Sequence, residues 1–254
     1  MKKLLTLLLC LVFAISAFAM CGCKDKIFEG RYSVATDKQI QSIVNTTHYA
    51  ENGETFDYNG GLQITCSANI YDGADYIDFY MNFQSLAQGD NLMMQGEARI
   101  NTSLDDYFAT SAKIYYSDGY AYTAYDTSEG VEKYKERISA TKLLAEYMEL
   151  VHGYNLTLEQ MYTSLRDEEG VTWYIAESKL YNKVKVEIVY SDEYETIVSD
   201  VVYVYDINYQ LIALSIDVVS TDTITENGTT STISIVIKPW LGLIILPTDL
   251  DTYE

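Results

Sequence analysis

Apolar and polar residues alternate with a period of two through most of this chain, and the pattern predicts a β-rich fold. Such alternation is typical of antiparallel strands that have one covered face and one wetter face. About ten strands are predicted, from eleven stretches at residues 62–70, 77–83, 92–100, 112–116, 120–125, 171–177, 184–190, 197–205, 211–219, 229–237 and 241–246. Ser117-Asp118-Gly119 and Asn227-Gly228 supply hairpin turn signals between neighbouring strands.

Three stretches show helical spacing instead. The capping box Thr36–Gln39 precedes apolar residues on one helical face and predicts a short helix over residues 37–46. A second helix is predicted over residues 138–151. A third begins at the capping box Thr157–Gln160 and is expected to end at Gly170. The two mid-chain helices are expected to pack against the sheet.

The first 23 residues follow neither pattern. Two lysines precede the apolar segment Leu4–Met20, which closes on the tripeptide Cys21–Cys23. A charged start, an apolar centre and a small-residue exit are typical of a secretory signal. The protein is therefore expected to work on the extracytoplasmic side of a membrane.

Gly22 before Cys23 resembles the lipobox of bacterial lipoproteins, in which a small residue precedes the cysteine that becomes the acylated N-terminus. Cys23 is the predicted lipid attachment site. Cys21 is the alternative, because Met20 stands where the family usually has Leu. The resemblance implies an anchor of two acyl chains, which hold a protein stably on a membrane where one chain does not. An uncleaved transmembrane anchor and plain secretion stay open.

This assignment divides the chain into a signal peptide (1–22), a tether (23–35) and one domain (36–254). The whole chain has 17 Lys and Arg against 37 Asp and Glu. Loss of the two lysines of the signal leaves 15 basic residues and a net charge of −22. So acidic a chain is a poor ligand for nucleic acid, which needs a basic face, and the charge also opposes a domain lying on an anionic bilayer.

Few residues offer catalytic chemistry. After maturation Cys66 is the one remaining thiol, and its place in an alternating strand predicts a small buried apolar residue. His48 and His152 are the only histidines, and neither has partners at metal-ligand spacing. There is no Gly-x-Ser-x-Gly elbow. We expect no enzyme activity, metal or cofactor, and the remaining enzyme hypothesis is a glycosidase that uses two carboxylates.

The element order is one helix, meander strands, a helix pair and further strands, and it resembles that of the LolA and LppX type of lipoprotein. The segment Ile244–Pro247 resembles the last strand of related lipoproteins. The resemblance covers residues 36–254 and implies a mostly β, α+β fold. In that fold a strongly curved antiparallel sheet forms an incomplete barrel, and helices cover its concave side. Known members hold acyl chains in the resulting apolar cavity.

A lipid-like ligand is therefore the expected partner, besides the membrane reached through the lipid anchor. The candidate ligand-contacting residues are apolar, and several are adaptable methionines: Ile64, Ile77, Phe79, Met81, Met94, Met148 and Met161. The alternative is that these residues simply fill an irregular core.

The expected function is that of a membrane-anchored carrier or receptor on the extracytoplasmic face. The alternative function is an adhesion or glycan-binding module of the cell envelope, because the chain contains 24 tyrosines. It would require exposed tyrosines in one row, with these as the candidates: Tyr80, Tyr122, Tyr203 and Tyr205.

Overall fold

Twelve strands and two α-helices make up the part of the chain that the computed structural model describes. That part is residues 27–47, 60–72, 75–88, 91–103, 111–127, 129–139, 142, 157–222 and 229–254. The strands are β1 (Ser33–Val34), β2 (Gly60–Asp72), β3 (Asp75–Gln88), β4 (Asn91–Thr102), β5 (Ser111–Ser117), β6 (Tyr120–Thr127), β7 (Gly130–Arg137), β8 (Val171–Glu177), β9 (Asn182–Ser191), β10 (Glu195–Tyr205), β11 (Leu211–Asp222) and β12 (Thr229–Pro239). The helices are α1 (Asp37–Thr46) and α2 (Leu158–Leu165), and a 3₁₀ turn spans Leu250–Thr252.

All twelve strands belong to one open sheet, in the order β1-β8-β9-β10-β11-β12-β2-β3-β4-β5-β6-β7. The pairings are antiparallel throughout. Two meanders, β2–β7 and β8–β12, lie side by side and are joined where β12 pairs with β2. The mostly β, antiparallel class is confirmed, with twelve strands rather than about ten. The strong curvature of the sheet stays a prediction.

Two strands lack the alternation of apolar and polar residues and were not predicted. β7 carries charged residues on both of its faces, so no apolar period marks it, and its pairing with β6 places it at one edge of the sheet. β1 is two residues long and pairs with β8 at the opposite edge. Both are edge strands, which need no continuous apolar face because only one neighbour covers their backbone.

The predicted strand at residues 241–246 is wrong. β12 ends at Pro239, and the residues beyond it form no strand. The backbone N–H of Ile245 donates instead to the side-chain Oε1 of Gln95, at 3.0 Å. Proline lacks an N–H for the ladder, so pairing stops there and the chain crosses the sheet surface.

Both capping boxes begin helices as predicted. α1 matches residues 37–46, with the Thr36 N–H donating to Gln39 Oε1 at 2.8 Å. α2 ends at Leu165 rather than at Gly170. Arg166 is its C-cap, and the next three residues are acidic. Negative charge is unfavourable at a helix C-terminus, so the helix does not continue through them.

The predicted helix over residues 138–151 falls largely outside the described residues. Ile138, at its predicted start, is not helical. Its N–H donates to the carbonyl of Gly119 at 3.0 Å, and its side chain is buried. The turn at Asp118-Gly119 is confirmed, because both residues have positive φ, as a tight hairpin turn requires.

The sheet has two distinct faces, named here the helix face and the outer face. α1 and α2 pack on the helix face, where Ile40 and Leu158 are fully buried. On the outer face, residues near both ends of the chain pack against the sheet. Phe28 packs against Val204 and Ala213, and Tyr253 packs against the ring of Tyr122, with centroids 5.6 Å apart.

Residues 27–35, which the sequence analysis assigns to the tether, lie against the sheet. Phe28 is only 4% exposed, and the Tyr32 hydroxyl donates to the Phe28 carbonyl at 2.7 Å. Lys183 Nζ donates to the carbonyl of Glu29. Ile27, the first described residue, already packs against the cluster that contains Phe28, and it lies four residues after Cys23 in the sequence.

Candidate ligand-binding face

The helix face over β8–β12 is covered by both helices and is named here the helix-covered half. Tyr162 of α2 meets Trp173 edge-on, with ring centroids 5.7 Å apart. Its hydroxyl donates to Asp37 Oδ1 of α1 at 2.6 Å and so links the two helices. Tyr203 and Tyr205 stack beneath them, fully buried. This half is a packed core.

The helix face over β2–β5, the β2–β5 half, is apolar in a different way. The described residues of a buried cluster there all belong to the sheet: Cys66, Ala68, Phe79, Met81, Phe83 and Ala98. Neither of the described helices contributes a residue to it. Gly96 lies opposite Phe83, and a Cβ at Gly96 would come within 2.1 Å of Phe83 Cδ1. The ring of Phe83 therefore covers the space that the glycine leaves.

A third cluster extends the apolar surface toward β6. Met94 and Leu92 of β4 pack with Tyr116 of β5 and with Ile138, beyond β7. The Tyr116 hydroxyl donates to the Ile138 carbonyl at 3.1 Å. The helix face is thus apolar from β8 to β5, although the described helices cover only the part over β8–β12.

The structure brings several of the predicted ligand-contacting residues together. Phe79 and Met81 are buried in the cluster of the β2–β5 half, and Ile64 packs against both this cluster and the helix-covered core. Met94 belongs to the third cluster, and Ile77 is half-buried on β3.

Met161 instead lies on α2, against the helix-covered core. Met148 and Cys23 lie outside the described residues. The role of all these residues in ligand binding stays a prediction.

Cys66 is buried within the β2–β5 half, as predicted. Burial raises the pKa of its thiol to about 12. The side chain is therefore a neutral thiol at physiological pH, and it behaves as a small apolar residue rather than as a nucleophile. Both histidines lie outside the described residues. Within the described part of the chain, no three His, Cys, Asp or Glu residues come close enough to hold a metal ion.

Sequence reasoning missed a charged cluster on the outer face. Lys185 Nζ lies 2.8 Å from Asp200 Oδ1 and 3.4 Å from Glu187 Oε2. Burial alone would lower the pKa of Lys185, but hydrogen bonds and charges from Asp200 and Glu187 outweigh it and raise that pKa. The alternation places Lys185 and Glu187 on the polar face, whereas the contact with Asp200 depends on the register between β9 and β10. Tyr174 joins this ion cluster, because its hydroxyl donates to Glu187 Oε1 at 3.4 Å.

Three of the four candidate tyrosines are buried and so form no exposed row. Tyr203 and Tyr205 are buried on the helix face, while Tyr122 is buried on the outer face beneath Tyr253. Two other tyrosines are about half exposed, Tyr71 at 47% and Tyr190 at 51%. Tyr190 is paired with Ile197 on the helix face, whereas Tyr71 is paired with Thr230 on the outer face. The two tyrosines therefore lie on opposite faces. The flat aromatic platform of the alternative function is therefore absent among these residues.

No helix in the described part of the chain is long and apolar enough to cross a membrane. The predicted signal segment lies outside the described residues.

Comparison with known proteins yields weak likenesses only. No protein-family model and no curated protein matches the sequence. One similar solved structure is a DUF1329 family protein from Desulfovibrio piger ATCC 29098, with 12% identity and a TM-score of 0.25 over 81% of this chain and 95% of that chain. Another is a candidate outer membrane lipoprotein-sorting protein domain from Vibrio parahaemolyticus, with 11% identity and a TM-score of 0.26 over 85% of this chain and 97% of that chain. At these TM-scores the likeness establishes neither the fold nor the function of this chain.

Proposed function

We propose that this protein is a lipid-anchored carrier or receptor on the extracytoplasmic face of the cell membrane. It binds an apolar or amphiphilic, lipid-like ligand on the helix face of its sheet and catalyses no reaction. Cys23 carries the anchor. The supporting sequence features are the signal-like segment, the Gly22-Cys23 exit and the lack of a recognisable catalytic motif.

The observation that carries the proposal is the difference between the two halves of the helix face. α1 and α2 contribute Ile40, Leu158 and Tyr162 to the helix-covered core. Neither described helix contributes a side chain to the cluster around Phe79 and Met81. The cluster is buried although neither of these helices contributes to it. An apolar site of this kind is suited to an acyl chain, since each buried CH₂ contributes about 0.8 kcal/mol.

The side chains of the β2–β5 half also suit a variable apolar ligand. Met81 and Met94 are unbranched and change rotamer at little cost, so they adapt to acyl chains of different shape. Ala68 and Ala98 have small side chains, so they leave space between the larger side chains of the cluster.

Binding of cis-parinaric acid, a fluorescent fatty acid, tests the proposal. A chain that begins at Lys24, without the signal segment and both candidate cysteines, has no anchor and avoids detergent. We expect saturable binding that Met81→Gln weakens about fivefold, because the amide must be desolvated beside the ligand. Met161→Gln is the matched control in the helix-covered half and is expected to change the affinity less than about twofold.

Absence of saturable binding, with the native circular dichroism spectrum retained, would contradict the carrier function. Equal losses for Met81→Gln and Met161→Gln would place the ligand elsewhere on the molecule. The anchor is tested separately by the mass of the mature chain, which should begin at Cys23 and include a diacylglyceryl group.

A further inference from the structure

The most exposed apolar residues lie together at one end of the sheet. This near end is where β8, β10 and β12 finish, and it includes the turns at residues 178–181 and 206–210. Among the described residues, six large apolar side chains are more than 60% exposed, and five of them belong to this end. The five are Leu180 (65%), Ile207 (66%), Leu241 (99%), Leu243 (78%) and Ile245 (77%). The sixth, Val34, lies on the edge strand β1.

Hydrogen bonds hold the two turns of the near end in shape. Ser178 Oγ accepts from the backbone N–H groups of Leu180 at 3.3 Å and of Tyr181 at 3.0 Å. Asp206 Oδ1 accepts from the N–H groups of Asn208 at 2.8 Å and of Gln210 at 2.9 Å. These side-chain-to-backbone bonds stabilise the tight turns, so the neighbouring apolar tips stay directed outward.

The segment 240–247 presents an apolar row to solvent. Leu241, Leu243 and Ile245 are exposed, whereas Ile244 and Leu246 are partly buried. The segment is fixed to the sheet at both ends, because Trp240 N–H donates to the Gly61 carbonyl at 2.8 Å and Ile245 N–H donates to Gln95 Oε1 at 3.0 Å. It contains no charged residue.

The N-terminal segment reaches the sheet at this same end and on the same face. Phe28 contacts Val204 and Ala213, near the end of β10 and the start of β11. Gln95, which holds the segment 240–247, lies on β4, four strands from β11. At about 4.8 Å per strand this separation is about 19 Å. Both features therefore lie along one end of the outer face.

The tether limits how far this end can lie from the membrane. Three residues separate Cys23 from Ile27, so the chain takes four steps between them. At no more than about 3.5 Å per step, an extended chain spans about 14 Å in all. We propose that the near end docks on the lipid bilayer, with Leu180, Ile207 and the row Leu241, Leu243 and Ile245 entering the interface. This inference rests on the lipid anchor of the proposed function. It adds an orientation and a second contact with the membrane.

The charge distribution favours this orientation. At the far end, cross-strand pairing joins Glu195 to Asp222, Asp222 to Thr229, Thr229 to Asp72 and Asp72 to Asp75, so four acids lie in one row. The near end carries charges of both signs, with Lys179 beside Leu180 and Asp206 beside Ile207.

An upright domain keeps the acidic row roughly 35 Å from the bilayer, the length of the 11-residue β10. That distance is several times the Debye length of about 8 Å in physiological salt. Docking by the near end therefore avoids the repulsion that the net charge imposes on a domain lying flat.

The two tryptophans of the chain report the docking directly. Trp240 begins the exposed segment, and Trp173 lies in the helix-covered core. The full chain is expressed with its leader and reconstituted in vesicles of phosphatidylethanolamine and phosphatidylglycerol with brominated acyl chains. In the Trp173→Phe variant, we expect the brominated lipid to quench Trp240 fluorescence about twofold, since an interfacial tryptophan lies within reach of the acyl chains. The Trp240→Phe variant is the control, and its Trp173 should be quenched little.

Substitutions at the two ends sharpen the test. One variant of the Trp173→Phe chain should lose most of the quenching. It carries the three near-end substitutions Leu241→Ser, Leu243→Ser and Ile245→Ser. The matched control is Val189→Ser, Val198→Ser and Val219→Ser, three far-end valines that are 44%, 39% and 41% exposed, and it should leave the quenching unchanged. Circular dichroism confirms that each variant is folded.

The failure of docking and the failure of the anchor give different results. If the mature chain has the mass of a lipoprotein but Trp240 is not quenched, docking is overturned and the anchor stands. If the mass shows no acyl chain, the purified chain is mixed with the same brominated vesicles. Quenching of Trp240 then supports docking, and its absence overturns docking. A third result would be a dimer in sedimentation that the three near-end serine substitutions dissociate, with no quenching of Trp240. This result would show that a second copy of the chain, rather than a bilayer, covers this surface.

Discussion

The two halves of the helix face are built from the same alternating strands but are covered differently. In the helix-covered half, α1 and α2 contribute fully buried Ile40 and Leu158 above the stacked rings of Tyr203 and Tyr205. In the β2–β5 half, the described residues of the buried cluster around Phe79 and Met81 all belong to the sheet. The first half has the side chains of a rigid core, and the second has the side chains of an adaptable surface. Alternation therefore predicts that a face is covered without predicting what covers it.

Truncation of one large side chain in each half is expected to give the largest effects. Leu158→Ala removes a fully buried side chain between α2 and the sheet and should lower the free energy of unfolding by about 3–4 kcal/mol. Met81→Ala removes a side chain from the adaptable half and should cost about 2 kcal/mol, because flexible neighbours partly refill the space. Urea denaturation followed by circular dichroism measures both values. A Met81→Ala cost equal to that of Leu158→Ala would show that the β2–β5 half is as rigid as the helix-covered core.

Gly96→Ala tests the close packing of the β2–β5 half. The new methyl group would lie 2.1 Å from Phe83 Cδ1, so the ring must move, at an expected cost of about 2 kcal/mol in the free energy of unfolding. Gly30→Ala is the matched control, since its nearest neighbour would be Ala176 Cβ at an ordinary 3.6 Å. Thermal and urea denaturation of the two variants should therefore differ clearly. Equal stabilities would mean that Phe83 moves freely, as expected for a loose wall.

Much of the sheet could be predicted because its alternation is strict. Apolar and polar residues alternate with a period of two in both residues 62–70 and residues 77–83. A hairpin between these stretches places Ile64, Phe79 and Met81 on the same face. The order of strands could not be predicted in this way. It depends on β12 pairing with β2, which brings Ile237 beside Ile64 from the other end of the chain.

The segment 240–247 was misassigned for a related reason. Its composition is that of a buried strand, but its hydrogen-bond partners are the Gly61 carbonyl and the Gln95 side chain. Those partners lie on β2 and β4, which flank β3 in the sheet, so they can be identified only once the strand order is known. The split of the helix face into two halves was likewise beyond sequence reasoning, because the reach of each helix depends on tertiary packing.

Alkaline pH should reveal the burial of Cys66 in the β2–β5 half. Burial raises the pKa of the folded thiol from its ordinary value of 9.0 to about 12. The stabilising contribution is therefore complete below pH 9 and is lost as the pH rises from 9 toward 12, where the unfolded chain releases the proton and the folded chain retains it. Relative to Cys66→Ala, the wild-type chain should lose about 1.4 kcal/mol of unfolding free energy per pH unit in that range.

The comparison with Cys66→Ala cancels the titration of the many tyrosines and lysines, which both chains share. Urea denaturation at pH 8 and pH 10 measures the difference. A constant gap between the two chains would show that water or an open cleft reaches the thiol in the native state.

The link between the two helices is expected to give the smallest effect. Tyr162→Phe removes the hydroxyl that donates to Asp37 Oδ1 and keeps the ring against Trp173, so the free energy of unfolding should fall by about 1 kcal/mol. Tyr134→Phe is the control on the edge strand β7, where the hydroxyl bonds to the exposed side chain of Glu132, and its effect should stay within about 0.5 kcal/mol. Because Tyr162 belongs to the helix-covered half, its loss should leave the binding of cis-parinaric acid unchanged. A weaker binding of that probe by Tyr162→Phe would show that the helices, rather than the β2–β5 surface alone, hold the ligand.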